Sequence, residues 1–215
     1  RGFPQMNGFI NSIEILKKHL NKEITNFEQD LNTLPDDKKE DVFRVFKEEL
    51  ESFNNDVDMK HKDIKDIETL FHNINKLVMD TENRTLTTKQ INIYTTNYDS
   101  IVDNCLKNLG LLYNVVSSSN LENSDKFFEL IGYDYGLRQY IPTYLISKIH
   151  GDLENPILPS KNKYDESLQA KRFEILFRMK SQLSRGNSIL IVIGYSGNDK
   201  HLNSLIHDCI TFGLS

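Results

Sequence analysis

Three times along this chain a β-favouring stretch stops at a polar turn and gives way to residues spaced as a helix. INIYTTNYD (91–99) is followed by Ile101, Val102, Leu106 and Leu109. YLISKIHGD (144–152) precedes an amphipathic pattern over 167–185, marked by Leu168, Phe173, Leu176, Phe177 and Leu183. SILIVIGYSGND (188–199) leads into Leu202, Leu205, Ile206 and Ile210. Strands alternating with helices predict an α/β fold: a Rossmann-like parallel sheet flanked by helices. Ile189 to Ile193 is the clearest strand, because an unbroken apolar run suits a strand covered on both faces. Ligands of such sheets bind beyond the carboxyl ends of the strands. The turns TTNYD, HGD and GYSGND are therefore expected at one edge. Residues 111–140 are mixed: VVSSSN and ENSDK read as loop, and FFELIGYDYG holds at most a short strand.

Residues 7–80 have only helical periodicity. Ile10, Ile13, Leu16 and Leu20 mark a first helix, followed by Ile24, Phe27 and Leu31. Pro35 breaks the chain, and Asp36 with Asp37 suits a new first turn, where the helix end is partly positive. Phe43, Phe46, Leu50 and Phe53 mark the second helix; Ile64, Ile67, Leu70, Ile74 and Leu77 mark the third. Narrow apolar stripes backed by charge predict a small bundle packed on one side of a domain. Its bland role is scaffold; the alternative is a lid or a partner-docking surface. The expected division is a helical segment over residues 1–88, packed on a core of residues 89–215.

Composition removes several classes. The formal net charge is -5 and the sequence pI is about 5.7, with no Lys/Arg block, so a nucleic-acid duplex has no evident electrostatic footprint to grip. No run approaches the roughly 20 apolar residues of a membrane span, and no secretory signal pattern occurs. Cys105 and Cys209 are too few for a disulfide framework and read as reduced thiols of a cytoplasmic protein.

Each polar turn has a plain reading and a chemical one. Thr95, Thr96, Asn97 and Asp99 cap the following helix, or offer donors and acceptors to ribose hydroxyls and a positioned water. His150 ends its strand either as a packed loop histidine or as a group for proton transfer near neutral pH. Gly151 beside it would let backbone approach a ligand, with Asp152 next in line. Gly194, Ser196 and Asp199 form an ordinary strand-to-helix turn, or a cradle for phosphate or ribose at a helix N-terminus. His19, His61, His72, His201 and His207 fall in predicted helices, and His201 with His207 lacks the i,i+4 spacing of a helical metal pair. Neither GxGxxG nor a P-loop occurs.

Taken together, TTNYD (95–99), KIHGD (148–152) and VIGYSGND (192–199) resemble the sirtuin-like family, which carries in order a GAG-type loop, T-x-N-x-D, HG and a G-x-S turn. The wording TTNYD is similar to the bacterial antiviral-defence branch. PILPSKNKYDE (156–166), with Tyr164, resembles a segment those relatives carry after HGD. The glycine loop is absent. RGFPQMNGFI resembles the segment that follows it, so the loop is expected just before Arg1, and binding of NAD by the chain alone is expected to be poor. The paired CxxC motifs of zinc-bearing deacylases are also absent, and two lone cysteines cannot supply four zinc ligands.

The resemblance implies an NAD hydrolase that releases nicotinamide, with NAD as substrate and no metal. Asn97 would position water or the ribose, and His150 would contact a ribose hydroxyl or act as base. Asp99 would orient the ribose or hold the loop of Asn97. Thr95, Thr96, Gly151, Asp152, Gly194, Ser196 and Asp199 would line the NAD site. It further implies the NAD-depleting effector of an anti-phage protein, restrained by homo-oligomerisation or by other domains, and triggered by a phage protein. The alternatives are an NAD-dependent protein deacylase, a non-catalytic NAD or ADP-ribose module, and a structural domain with a degenerate pocket.

Overall fold

The computed structural model describes residues 10–24, 30–31, 33–57, 59–79, 89–117, 131–154, 156, 170–185, 188–197 and 199–212. The chain forms two compact units, Arg1–Lys163 and Tyr164–Ser215. Among the described residues the first holds helices α1 (Ile10–Leu20), α2 (Asp36–Asp56), α3 (Lys62–Met79) and α4 (Ile101–Asn108). It also holds strands β1 (Lys89–Thr95), β2 (Leu112–Val116), β3 (Gly132–Asp134) and β4 (Gln139–Lys148). The second unit holds α5 (Ala170–Leu183) and α6 (Lys200–Phe212). The architecture is the Rossmann-like α/β arrangement with an amino-terminal helical segment that the alternating pattern predicts.

The sheet runs β1-β4-β2, and both neighbours lie parallel to β4. Its short fourth strand, β3, pairs antiparallel with the start of β4. Central position explains the sequence of β4. Every residue from Pro142 to Lys148 is buried, whereas β1 is only partly so. The register sets Thr95 opposite Lys148, and Val116 opposite Ser147, so the strands end on a common rim. Gly132 is required where β3 meets its neighbours: a Cβ there would lie 2.8 Å from Ile141 Cγ1 and 3.0 Å from Leu112 Cδ2.

Of the helices that precede the sheet, α3 shares its core. Ile64 and Phe71 of α3 pack with Cys105 and Leu106 of α4 and with Tyr144 and Ile146 of β4. Phe71 meets Tyr144 edge-on, ring centroids 6.0 Å apart. Each fully buried large side chain in this cluster contributes roughly 1.5–3 kcal/mol. A second cluster joins Leu16 of α1 to Leu31, Leu34 and Val42. A third sets Phe46 and Leu50 of α2 against Tyr98 and Leu153, which lie in the turns that follow β1 and β4.

Two local expectations need correction. Leu112–Val116, read as mixed sequence running into loop, is a strand, because a parallel ladder with β4 outweighs an interrupted apolar pattern. Conversely, Ile189 to Ile193 belongs to no strand among the described residues. Its side chains are 39–86% exposed. A buried strand needs ladder partners at its edges and cover on its faces, and among the described residues its own unit offers only two helices. Those helices pack through Ile175, Met179, Leu202 and Cys209, all buried.

Candidate functional site

Two of the three polar turns leave the rim side by side. The Ile149 amide donates to the Thr95 carbonyl at 2.9 Å, carrying the β1–β4 ladder one step beyond the last strand residues. Asn97 lies two residues past Thr95, and His150 two residues past Lys148, on adjacent parallel strands. Thr95, Thr96, Asn97, Asp99, His150, Gly151 and Asp152 are thereby gathered at one end of the sheet.

Local bonds decide what each residue can present. The Asn97 amide donates to Thr95 Oγ1 at 3.1 Å, which curls the backbone just after the strand and leaves the Asn97 side chain exposed. His150 is buried. The Gly151 amide donates to the Lys148 carbonyl at 3.1 Å, and Gly151 has φ +82°, a conformation that an L side chain strains. Asp152 Oδ1 accepts from the Glu154 amide at 3.0 Å, so it shapes the turn out of β4.

Asp99 is buried, and its Oδ1 accepts from the Ile101 amide at 2.9 Å, at the start of α4, where Ser100 holds the cap position without a side-chain bond. Its Oδ2 has no partner among the described residues. Burial pushes the Asp99 carboxyl above its ordinary value; the Ile101 amide and the Lys148 cation oppose that shift without cancelling it. Lys148, also buried, donates from Nζ to the Asp99 carbonyl at 2.7 Å and lies 3.4 Å from Asp103 Oδ2.

Helix α2 braces both turns. Phe46 meets Tyr98 edge-on with ring centroids 6.3 Å apart. Asn54 Oδ1 accepts from the Ser100 amide at 3.0 Å, and Lys47 Nζ donates to the Glu154 carbonyl at 3.3 Å. Phe46, Leu50 and Asn54 follow one another at i,i+4 spacing, so one face of the helix meets the loops.

Sequence reasoning missed Lys148 and this face of α2. A lysine inside the apolar stretch YLISKI was a usable signal, because a charge in a buried strand needs a partner. Nothing in the sequence indicates which helix reaches the turns.

The third turn belongs to the second unit. Gly194 and Gly197 have φ +64° and +73°. Asp199 Oδ1 accepts from the amides of His201 and Leu202 at 3.1 and 3.0 Å, capping α6. Asn203 Nδ2 donates to the Gly197 carbonyl at 2.6 Å, and the Tyr195 hydroxyl lies 2.8 Å from Asn203 Oδ1. Ser196 is exposed. Tyr164 with the rest of residues 157–166, and the RGFPQ segment, lie outside the described residues.

Both cysteines are free and buried. Burial pushes the Cys105 thiol up to about 11, which keeps it protonated at neutral pH. Among the described residues no group of three or more His, Cys, Asp or Glu side chains could hold a metal ion. Among them, too, no helix is long and apolar enough to cross a membrane.

A family model described as a SIR2-like domain matches residues 91–213, more than half of the chain. No curated protein matches the sequence.

Proposed function

Since the chain belongs to the SIR2-like domain family, whose function is NAD-related, we propose that it cleaves the nicotinamide–ribose bond of NAD with water. The reaction balances as NAD and water giving nicotinamide, ADP-ribose and a proton. The observation that carries this reading is the shared rim. An exposed amide, Asn97, and a buried imidazole, His150, leave adjacent parallel strands joined by the Ile149–Thr95 bond.

The chemistry asks little of the protein beyond placement. The nicotinamide of NAD is a cationic leaving group, and its departure leaves positive charge on the ribose, as in other glycosidic cleavages. The enzyme must hold the ribose, limit bulk water and admit one nucleophile. The Asn97 side chain, with both a donor and an acceptor, holds that water or a ribose hydroxyl. His150 contacts a ribose hydroxyl or takes the proton of the attacking water. Gly151 lets backbone come close to the substrate, and Thr95 and Thr96 add hydroxyls to the same rim. Asp99 orients the ribose or holds the loop of Asn97, and its burial and its bond to the Ile101 amide favour the second role. Asp152 likewise shapes the exit from β4.

In the wider reading the chain is a cytoplasmic NAD-depleting effector of bacterial anti-phage defence. It is held silent in an oligomer or by partner domains until a phage protein releases it. Residues 1–88 then form a helical segment on a core of residues 89–215, and the brace from α2 gives that segment a route to the active loops. The test is nicotinamide release from NAD by the protein, with and without acyl-peptide. Release of nicotinamide and ADP-ribose without peptide is expected. Release only with peptide would make the protein a deacylase, and tight NAD binding without release a sensor.

A further inference from the structure

The segment that carries Asn97 is fastened to β4 at both ends. At its start the Thr95 carbonyl accepts from the Ile149 amide at 2.9 Å. At its end the Asp99 carbonyl accepts from Lys148 Nζ at 2.7 Å. The second fastening is unusual, because it is made by a charged side chain in the buried part of the central strand. The cation faces Asp103 Oδ2 at 3.4 Å, in the first turn of α4, and Asp103 Oδ1 has no partner among the described residues. A buried ion pair is a weak source of stability, since the cost of removing two charges from water offsets most of their attraction. A well-packed apolar side chain at 148 would hold the core about as well. It would not hold the Asp99 carbonyl. A lysine there has a geometric use, which is to fix a backbone atom two residues past Asn97 to a point two residues before His150.

We infer that Lys148 is a positioning residue: its ammonium, held by Asp103, sets the spacing between the Asn97 loop and His150. The inference rests on the hydrolase reading for its kinetic consequence, but its structural content is independent of it. Lys148 touches neither water nor ribose in this role. It acts through the Asp99 carbonyl, while Ile101 and Asn54 hold the next stretch of loop through Asp99 Oδ1 and the Ser100 amide.

The test compares Lys148→Met, Asp103→Asn and the double variant with wild-type protein. Thermal midpoint, nicotinamide-release kinetics and amide hydrogen exchange at residues 97–101 are measured on each. Lys148→Met leaves Asp103 buried without its cation and is expected to lower the midpoint. The double variant removes both charges and should regain much of that loss. In the double variant kcat is nevertheless expected to stay down by about 100-fold, the scale of a misplacement near 1 Å, while KM for NAD moves less than about threefold. Exchange at residues 97–101 should remain faster by about tenfold or more, as for a local opening uncoupled from global stability. Leu16→Ala, in the separate cluster of α1 with Leu31, Leu34 and Val42, should lower the midpoint without changing kcat. Return of wild-type kcat in the double variant, or unchanged exchange at 97–101, would overturn the inference, leaving Lys148 a stability residue only. Wild-type protein that releases no nicotinamide would sink the hydrolase reading alone, since the exchange measurement still decides whether Lys148 fastens the loop.

Discussion

Phe46→Ala would remove the ring through which α2 supports the turns that follow β1 and β4. Phe46 is 1% exposed and packs with Leu50, Tyr98 and Leu153. Losing a fully buried large side chain forfeits roughly 1.5–3 kcal/mol of transfer free energy. The edge-on contact with Tyr98 adds about 0.5–1.5 kcal/mol. A residual cavity adds more where α2 cannot settle onto the turns, so the total falls within the usual 3–5 kcal/mol for Phe→Ala. A single domain is commonly stable by about 5–15 kcal/mol, so the variant remains mostly folded at 25 °C unless the protein lies at the low end. Urea denaturation measures the loss as a lower midpoint at unchanged slope. These turns should loosen before the fold is lost, so under the proposed function nicotinamide release per folded molecule also drops. A loss below about 1 kcal/mol would refute the brace, because it would mean that Phe46 fills no packed site.

Two further outcomes follow from burial. Asp99 holds its proton more tightly when folded than its ordinary value of 3.8 allows. Its contribution to stability therefore falls as pH rises from near 3.8 through the folded value, and is constant above both. Subtracting the pH profile of Asp99→Asn from that of wild type should show this downward slope in mild acid; a flat or rising difference would contradict the burial. Ile191 is 66% exposed, so Ile191→Asp should change stability by no more than about 0.5 kcal/mol. A cost above about 2 kcal/mol would mean that the run is buried as its sequence suggests.

What the sequence makes legible is what local rules dictate. The helices α1, α2 and α3 follow from 3.6-residue spacing, and Pro35 with Asp36 and Asp37 marks where α2 begins. The ends of β1 and β4 follow from apolar stretches that stop at TTNYD and HGD, and their shared rim follows from parallel topology. Long-range effects were not legible. Leu112–Val116 is a strand because β4 is there to pair with it. Ile189–Ile193 has a strand's composition without a ladder among the described residues. Asp99 could be read as a ligand, a cap or both, and its burial and its bond to Ile101 are visible only in the folded chain. Lys148 was visible as a charge among apolar neighbours, but its partner Asp103 lies 45 positions earlier and is brought close only by the packing of α4 beside β4.

In the proposed reaction the Asn97 amide and the His150 imidazole, at one sheet rim, act on the same NAD molecule. Nicotinamide release by Asn97→Ala and by His150→Ala, each compared with wild type at matched thermal midpoint, tests it most directly. The account predicts that both variants stay folded and lose turnover, by at least the roughly hundredfold expected of a general base or a positioning group. Full turnover by both folded variants would contradict it.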